Sequence, residues 1–325
     1  MSIFYESDAS LDALAGADVA GVGYGNQGRS WALNLRDSGV DVRVCVRSDG
    51  SQEQATRDGF ETDGIAAASS ADVLCVLVPD DVIPQLGLEP RADACTVVAS
   101  GYTPAFGRFM PPGDIGMVAP RMLGPEVRRC YEEGVGFISA IGVHTDTTGH
   151  ARERTLAIAL AIGALKQGAI ELTLEQEAIL DLAVEQVLSP ALTAVNNAFV
   201  ATMLGRGIPI EAIVTELVLS GEVERTYRLL REEGFAAQAE YHSPTSQYGQ
   251  LSRRGRFDHL DVRSTMEQIT EDIASGAFAD EWDAERDAGY PRLAELKEAH
   301  AGPMVREFEA SLRERLGPKV AARQA

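Results

Sequence analysis

Cysteine is scarce in this chain: four in 325 residues, all isolated. Cys45, Cys75, Cys95 and Cys130 form no Cys-x-x-Cys pair and have no histidine at metal-ligand spacing, which excludes a disulfide scaffold and a thiolate zinc site. The first three sit inside apolar runs, where a thiol behaves as a small hydrophobe, so a reducing compartment is expected. Basic residues are also in the minority, with 29 Lys and Arg against 49 Asp and Glu and a net charge of −20. Phosphate backbones and anionic lipid surfaces are repelled by such a charge unless basic residues are segregated. Nothing longer than a pair such as Arg253-Arg254 occurs, so neither nucleic acid nor a membrane is an expected partner. Long apolar runs are missing too. The longest, around Leu156 to Leu165, is too short to cross a bilayer, and Met1 to Ser10 lacks a basic n-region and an apolar h-region. The expected location is the cytoplasm.

What the chain does have is ordinary globular composition, 45% hydrophobic and 24% charged, at a length that accommodates two domains of roughly 150 residues. β-branched runs alternate with helix-length segments from Val19 onward: Asp18 to Val22, Val40 to Val46, Asp72 to Val78, Cys95 to Ala99, Gly116 to Ala119 and Gly136 to Val143. Runs this apolar predict a parallel sheet covered on both faces. From Leu174 onward only helix-period segments follow, punctuated by Pro190, the Gly205 to Pro209 turn, Gly234 and the polar stretch Tyr241 to Gly249. The expected fold is therefore an α/β domain over residues 1–172 followed by an all-α domain over 173–325.

Gly23-Tyr24-Gly25-Asn26-Gln27-Gly28 follows the first strand and opens a helix that ends at Gly39, before the second strand. Glycines allow a tight turn and a close backbone approach, while the helix start offers unpaired N–H groups to a pyrophosphate. Strand, glycines, helix and second strand in this order predict a Rossmann dinucleotide site. The second strand ends in Val46-Arg47-Ser48-Asp49-Gly50-Ser51 rather than directly in an acid. Arg47 with Ser48 and Ser51 suits the 2′-phosphate of NADPH, although Asp49 and Glu53 oppose it, Ser51 can also be read as a helix cap, and NADH stays open.

Glu177, Asp181 and Glu185 recur every four residues on an otherwise apolar helix. Like charges at that spacing repel, and a divalent cation such as Mg²⁺ would relieve the cost; a solvent-facing polar stripe is the alternative.

Several motifs together resemble ketol-acid reductoisomerase in its short-chain form, nearly end to end. They are Ile3-Phe-Tyr5, Gly23 to Gly28, Ala32-Leu-Asn-Leu-Arg-Asp-Ser-Gly39, Val78-Pro-Asp80-Asp81, Met117-Val-Ala-Pro-Arg121, Glu177-x-x-x-Asp181-Leu-x-x-Glu185-Gln186 and Ser243-Pro-Thr-Ser-Gln-Tyr-Gly249. The resemblance implies an NADPH-binding Rossmann domain, a knotted helical domain that forms a homodimer, and two Mg²⁺ ions. With these the family rearranges a 2-aceto-2-hydroxy acid by alkyl migration before reducing it. By residue, it implies coenzyme contacts at Asp80, Asp81 and Gly124, metal ligands at Asp181 and Glu185, and a substrate-carboxylate contact at Ser243.

Three positions depart from the pattern. The family's active-site His is Ser100, and its Lys is Arg121. Two later glutamates spaced four apart become Glu216 with Ser220, or Glu222 with Val218, according to register, so one carboxylate is missing and at most one Mg²⁺ is expected. A permanently charged Arg and an unassisted Ser cannot inherit a proton relay. Alkyl migration needs a doubly polarised hydroxy-ketone, whereas hydride transfer needs one electrophilic stabiliser and one proton donor, such as Arg121, a single Mg²⁺ or water. The leading expectation is a reductase of a small carboxylate-bearing ketone or imine, in specialised metabolism. A true reductoisomerase of valine and isoleucine synthesis and a non-catalytic dinucleotide-binding regulator are the alternatives.

Overall fold

The structure, a computed structural model, describes residues 2–300 and 303–316; Met1, residues 301–302 and the expected domain's last stretch, 317–325, lie outside the described residues. The chain divides into two compact units at Leu182 and Ala183.

The first unit is built on nine strands: β1 (Ile3–Phe4), β2 (Val19–Val22), β3 (Val42–Val46), β4 (Thr62–Gly64), β5 (Val73–Val76), β6 (Cys95–Val98), β7 (Asp114–Pro120), β8 (Ser139–Thr145) and β9 (Ala169–Glu171). They lie in the order β1-β9-β8-β7-β6-β5-β2-β3-β4. The run β7-β6-β5-β2-β3-β4 is parallel throughout, as expected. The expectation of an all-parallel sheet needs correcting at the far edge, where β8 runs antiparallel to β7 and β1 antiparallel to β9. Strands β1, β4 and β9 span only two or three residues each, too few for a sequence period to register.

Alternation explains why the central runs are apolar without interruption. In β5, Val73 and Cys75 join the core that holds Trp31, Leu35 and Ile158, whereas Leu74 and Val76 face the opposite core with Met117 and Leu174. Both faces of the strand are thus buried, each side chain removing apolar surface worth roughly 1.5–3 kcal/mol. Helices α1 (Asn26–Asp37), α2 (Gly50–Arg57), α3 (Tyr102–Ala105), α4 (Gly124–Glu132) and α5 (Ala151–Ile162) accompany the sheet, and α6 (Leu174–Ala183) closes the unit. Strands β2 and β3 pair, and so do β2 and β5, so consecutive connections leave β2 in opposite directions. Such a reversal opens a crevice beyond the carboxyl ends of the strands, where dinucleotide folds bind their ligand.

The second unit is helical throughout its described residues: α7 (Ser189–Leu204), α8 (Ile210–Val214), α9 (Glu222–Glu233), α10 (Phe235–Ala239), α11 (Pro244–Arg253), α12 (Val262–Ala274), α13 (Ala277–Asp287), α14 (Pro291–His300) and α15 (Pro303–Leu316). Pro190 does not interrupt the helix as its sequence position implied. Helix runs from Leu174 to Leu204, with one turn of π-helix over Val184–Leu188. Proline has no N–H, so the carbonyl four residues earlier, at Gln186, loses its donor, and the wider turn absorbs the mismatch. This run is also long and apolar enough to cross a membrane by length and composition alone, which the shorter stretches weighed in the sequence did not reveal. A second π turn spans Thr215–Leu219.

Candidate active site

At the carboxyl ends of β2, β5 and β6 lies a cleft of about 370 Å³, lined by Gly25, Asn26, Gln27, Val76 to Asp80, Val98, Ala99 and Ser100. Two glycines of the phosphate loop, Gly23 and Gly28, have separate steric reasons. A Cβ on Gly28 would run into the Gly23 carbonyl, and one on Gly23, at φ +96°, would come 2.5 Å from the Val78 side chain. Gly124, at the start of α4, packs its Cα against the Asn26 carbonyl so closely that any side chain is excluded. Ser30 Oγ donates to the Gly124 carbonyl at 2.7 Å, and Gln27 Nε2 to the Met122 carbonyl at 3.1 Å. The starts of α1 and α4 are thereby locked together beside the cleft. These residues fit a dinucleotide: a bare backbone loop at a helix start meets the crevice of a doubly wound sheet.

Tyr24, the middle residue of Gly-Tyr-Gly, is turned away into the core. Its ring packs edge-on against Phe60 at 5.9 Å, and its hydroxyl donates to Asp58 Oδ2 at 3.0 Å. Burial, and then the carboxylate it faces, push the Tyr24 pKa well above the usual tyrosine value. In the β3–α2 turn, Arg47, Ser48 and Asp49 are exposed, and Asp49 rather than Ser51 caps α2, accepting the Ser51 N–H at 2.9 Å.

The carboxylate stripe is held by an arginine. Glu177 is 2% exposed and accepts the Gly101 N–H at 2.6 Å and Arg121 Nη2 at 2.5 Å. Arg121 Nη1 reaches Asp181 Oδ1 at 3.2 Å. The guanidinium thus forks across two successive acids of α6, from a position just after β7. A Cβ on Gly101 would strike the Leu174 carbonyl, so the loop carrying Ser100 is pressed onto the start of α6. Burial raises the Glu177 pKa, partly offset by the Gly101 N–H and Arg121. Asp80, half-buried in the cleft wall, is pushed up to about 7 by burial and by the negative charge of Glu177, Asp181 and Asp81.

Within the first unit, then, Ser100, Asp80, Arg121 and Asp181 belong to one neighbourhood, to which the structure adds Glu177. That residue was visible in the sequence only as the first member of the carboxylate stripe. Asp81 is half-buried and does not line the cleft.

Glu185, Glu216, Glu222 and Ser243 fall in the second unit. Glu185 lies in the first π turn and lines a cavity of about 760 Å³ with Phe278, Trp282 and Arg292. Glu216 lies in the second π turn, whereas Glu222 is the first residue of α9; both are exposed. Ser243 caps α11, its Oγ accepting the Ser246 N–H at 3.3 Å. Among the described residues no three of His, Cys, Asp or Glu form a group able to hold a metal ion. Asp181, paired to Arg121 through one carboxylate oxygen, keeps a half-exposed side chain.

Comparison with known proteins agrees with the sheet and the phosphate loop. The acetohydroxy acid isomeroreductase NADPH-binding domain matches residues 13–168, and the ketol-acid reductoisomerase C-terminal domain matches 174–317. A ketol-acid reductoisomerase (NADP(+)) of Methanocaldococcus jannaschii is 35% identical over 327 residues, covering 98% of each chain. A solved NADH-preferring ketol-acid reductoisomerase from an uncultured archean superposes with a TM-score of 0.89, at 31% identity over 97% of this chain and 99% of its own. With both halves matched in order and the likeness running end to end, the chain belongs to the ketol-acid reductoisomerase family of NAD(P)H-dependent oxidoreductases.

Proposed function

We propose that this chain carries out the reductive half of its family's chemistry, transferring hydride from NAD(P)H to the C=O or C=N carbon of a small carboxylate-bearing compound, without alkyl migration. The observation that carries this reading is the Arg121 fork on Glu177 and Asp181, together with a serine at position 100 in the cleft wall. Migration requires two oxygens of a hydroxy-ketone to be polarised at once, and a guanidinium already committed to two carboxylates leaves little to share. Reduction asks for one cation near the developing negative charge and one proton. Arg121, fixed by its two carboxylates and 28% exposed, supplies the first. Asp80, titrating near neutrality in the cleft wall, supplies the second. The phosphate loop, Gly124 and the cleft wall would hold and orient a dinucleotide, which would supply the hydride. Residues 1–172 act as the coenzyme domain and 173–325 as the helical domain, with Ser243 as a candidate contact for the substrate carboxylate.

The second reading is the complete reductoisomerase reaction of branched-chain amino acid synthesis. Its support is broader: full-length identity to a protein named for that reaction. There Asp181 and Glu185, with Glu216 or Glu222, would be metal ligands. The coenzyme is left as NAD(P)H, since one relative is named for NADP(+) and another is described as NADH-preferring.

We further assign a homodimer and a cytoplasmic location. Helix α7 buries none of its residues within the chain, although Leu192, Val195, Phe199 and Leu204 lie along it, and a second copy would cover them. All four cysteines are free and buried, which suits a reducing compartment. The deciding assay follows coenzyme oxidation with 2-acetolactate and with its rearranged 3-hydroxy-2-keto isomer, each with and without Mg²⁺. Turnover of the second substrate alone supports the reductase; efficient Mg²⁺-dependent turnover of 2-acetolactate supports the reductoisomerase.

A further inference from the structure

We infer that Asp58 is a positioning residue for the dinucleotide: from outside the cleft it holds both ends of the phosphate loop, so that the loop is already in shape when a pyrophosphate arrives. The inference rests on the dinucleotide reading and gives the loop a support that its glycine motif does not contain. Asp58 lies 34 residues after Tyr24 and 29 after Arg29, at the carboxyl end of α2.

The loop closes on itself, because Gly28 packs against the Gly23 carbonyl. The residue after each of these two glycines turns to the same carboxylate. Tyr24 Oη donates to Asp58 Oδ2 at 3.0 Å, while Arg29 forks onto it, Nε at 2.7 Å from Oδ2 and Nη2 at 3.1 Å from Oδ1. Glycine permits this path but fixes nothing, and a loop free in φ and ψ loses entropy when it must fit a ligand. Two side-chain tethers to one point remove that freedom before binding. Tyr24, which the sequence placed among the coenzyme contacts, thus serves the coenzyme through Asp58.

Helix α2 gains nothing from this acid, since a carboxylate at a helix C-terminus faces the negative end of the dipole. An exposed ion pair with Arg29 alone would contribute little. Tyr24 makes the anchor rigid: it is 5% exposed and its ring rests edge-on against Phe60. On the other side Arg36, from α1, stacks 4.9 Å from the Phe60 ring centre and donates to the Asp58 carbonyl at 2.7 Å. Loop, α1 and α2 therefore share one anchor. The opposite end of α2 follows the turn at which a dinucleotide fold meets the adenosine ribose, so the anchor also ties the pyrophosphate contact to the adenosine contact.

The test is coenzyme binding, by nicotinamide fluorescence titration of the full chain with NADH and with NADPH, at a temperature well below the thermal melt of every variant. Asp58→Ala should weaken both coenzymes by about tenfold, and Tyr24→Phe, which keeps the ring and loses only the hydroxyl, by about threefold. Because both changes act on one tether, the double variant should bind no more weakly than Asp58→Ala alone. Thr148→Val controls for stability: it removes a 2.6 Å hydrogen bond to buried Asp114, at the amino end of β7, and should lower the melting temperature without changing either affinity. Should Asp58→Ala fail to fold, the loss in Tyr24→Phe supports the inference and unchanged binding by that variant overturns it. Unchanged or tighter binding by Asp58→Ala, additive losses in the double variant, or an equal loss in Thr148→Val would overturn the inference alone. Binding of neither coenzyme by the natural protein would overturn the dinucleotide reading and the inference with it.

Discussion

Asp58 gathers more of the coenzyme domain than any motif residue does. Its carboxylate accepts from Tyr24, from both Arg29 nitrogens and from Gln54, while its backbone carbonyl accepts Arg36 Nη1 at 2.7 Å. The Arg29 hydrogen bond in particular holds its pKa at about 2, below the ordinary 3.8. That difference corresponds to about 2 kcal/mol of stability, present above the ordinary value and lost as pH falls from about 4 towards 2. Asp58→Asn should therefore lower the denaturant-derived stability by about that amount at pH 7 and by far less near pH 2. Asp80 behaves in the opposite sense. Its raised pKa means that the folded state holds the proton more tightly, so its contribution declines as pH rises from about 4 to 7. Asp80→Asn should raise the melting temperature at pH 8 relative to the natural protein, and a pH series of thermal melts checks it. The same variant should slow turnover at neutral pH if Asp80 delivers the proton. Neither environment could be read from the chain: Asp58 looks like an ordinary loop acid and Asp80 is marked only as a coenzyme contact by resemblance, until folding brings together groups distant in sequence. Arg121 was legible as a departure from its family, but its partners were not.

Among elements, the β2–α1 loop was the most legible, because glycine spacing reports a steric requirement that the backbone then obeys. Gly28→Ala would force Cβ into the Gly23 carbonyl, so coenzyme affinity should fall by at least about tenfold in a binding titration while the helical domain remains folded. Gly124→Ala, which would part the starts of α1 and α4, should do the same through a different contact. The β3–α2 turn was only half legible: its residues were counted correctly, but the cap that commits them depends on backbone conformation. Strand runs of β2, β3, β5 and β6 were recognised because both faces are buried, whereas β4 and β9, three residues each, carried no pattern. Pro190 misled because proline is tolerated inside a helix where a π turn replaces the missing hydrogen bond.

At the scale of the molecule, the division into an α/β unit and an all-helical one followed from the change of hydrophobic period near Leu172. The sequence alone does not say what covers α7, since an apolar helix face reads the same whether its partner is the same chain or another. A homodimer predicts that light scattering gives about twice the 34.8 kDa chain mass, and that Val195→Glu, on a 63% exposed position of that helix, shifts the protein towards monomer. Arg121 gives the account its catalytic signature: if its guanidinium takes the place of a metal charge, activity should survive EDTA, and Asp181→Asn should lower activity while leaving coenzyme affinity nearly unchanged. The most direct measurement follows the carbon skeleton itself, by carbon-13 NMR of 2-acetolactate incubated with the protein, Mg²⁺ and reduced coenzyme. No carbon should change its position in the skeleton, whether or not the ketone is reduced. Appearance of the rearranged 2,3-dihydroxy acid would contradict it.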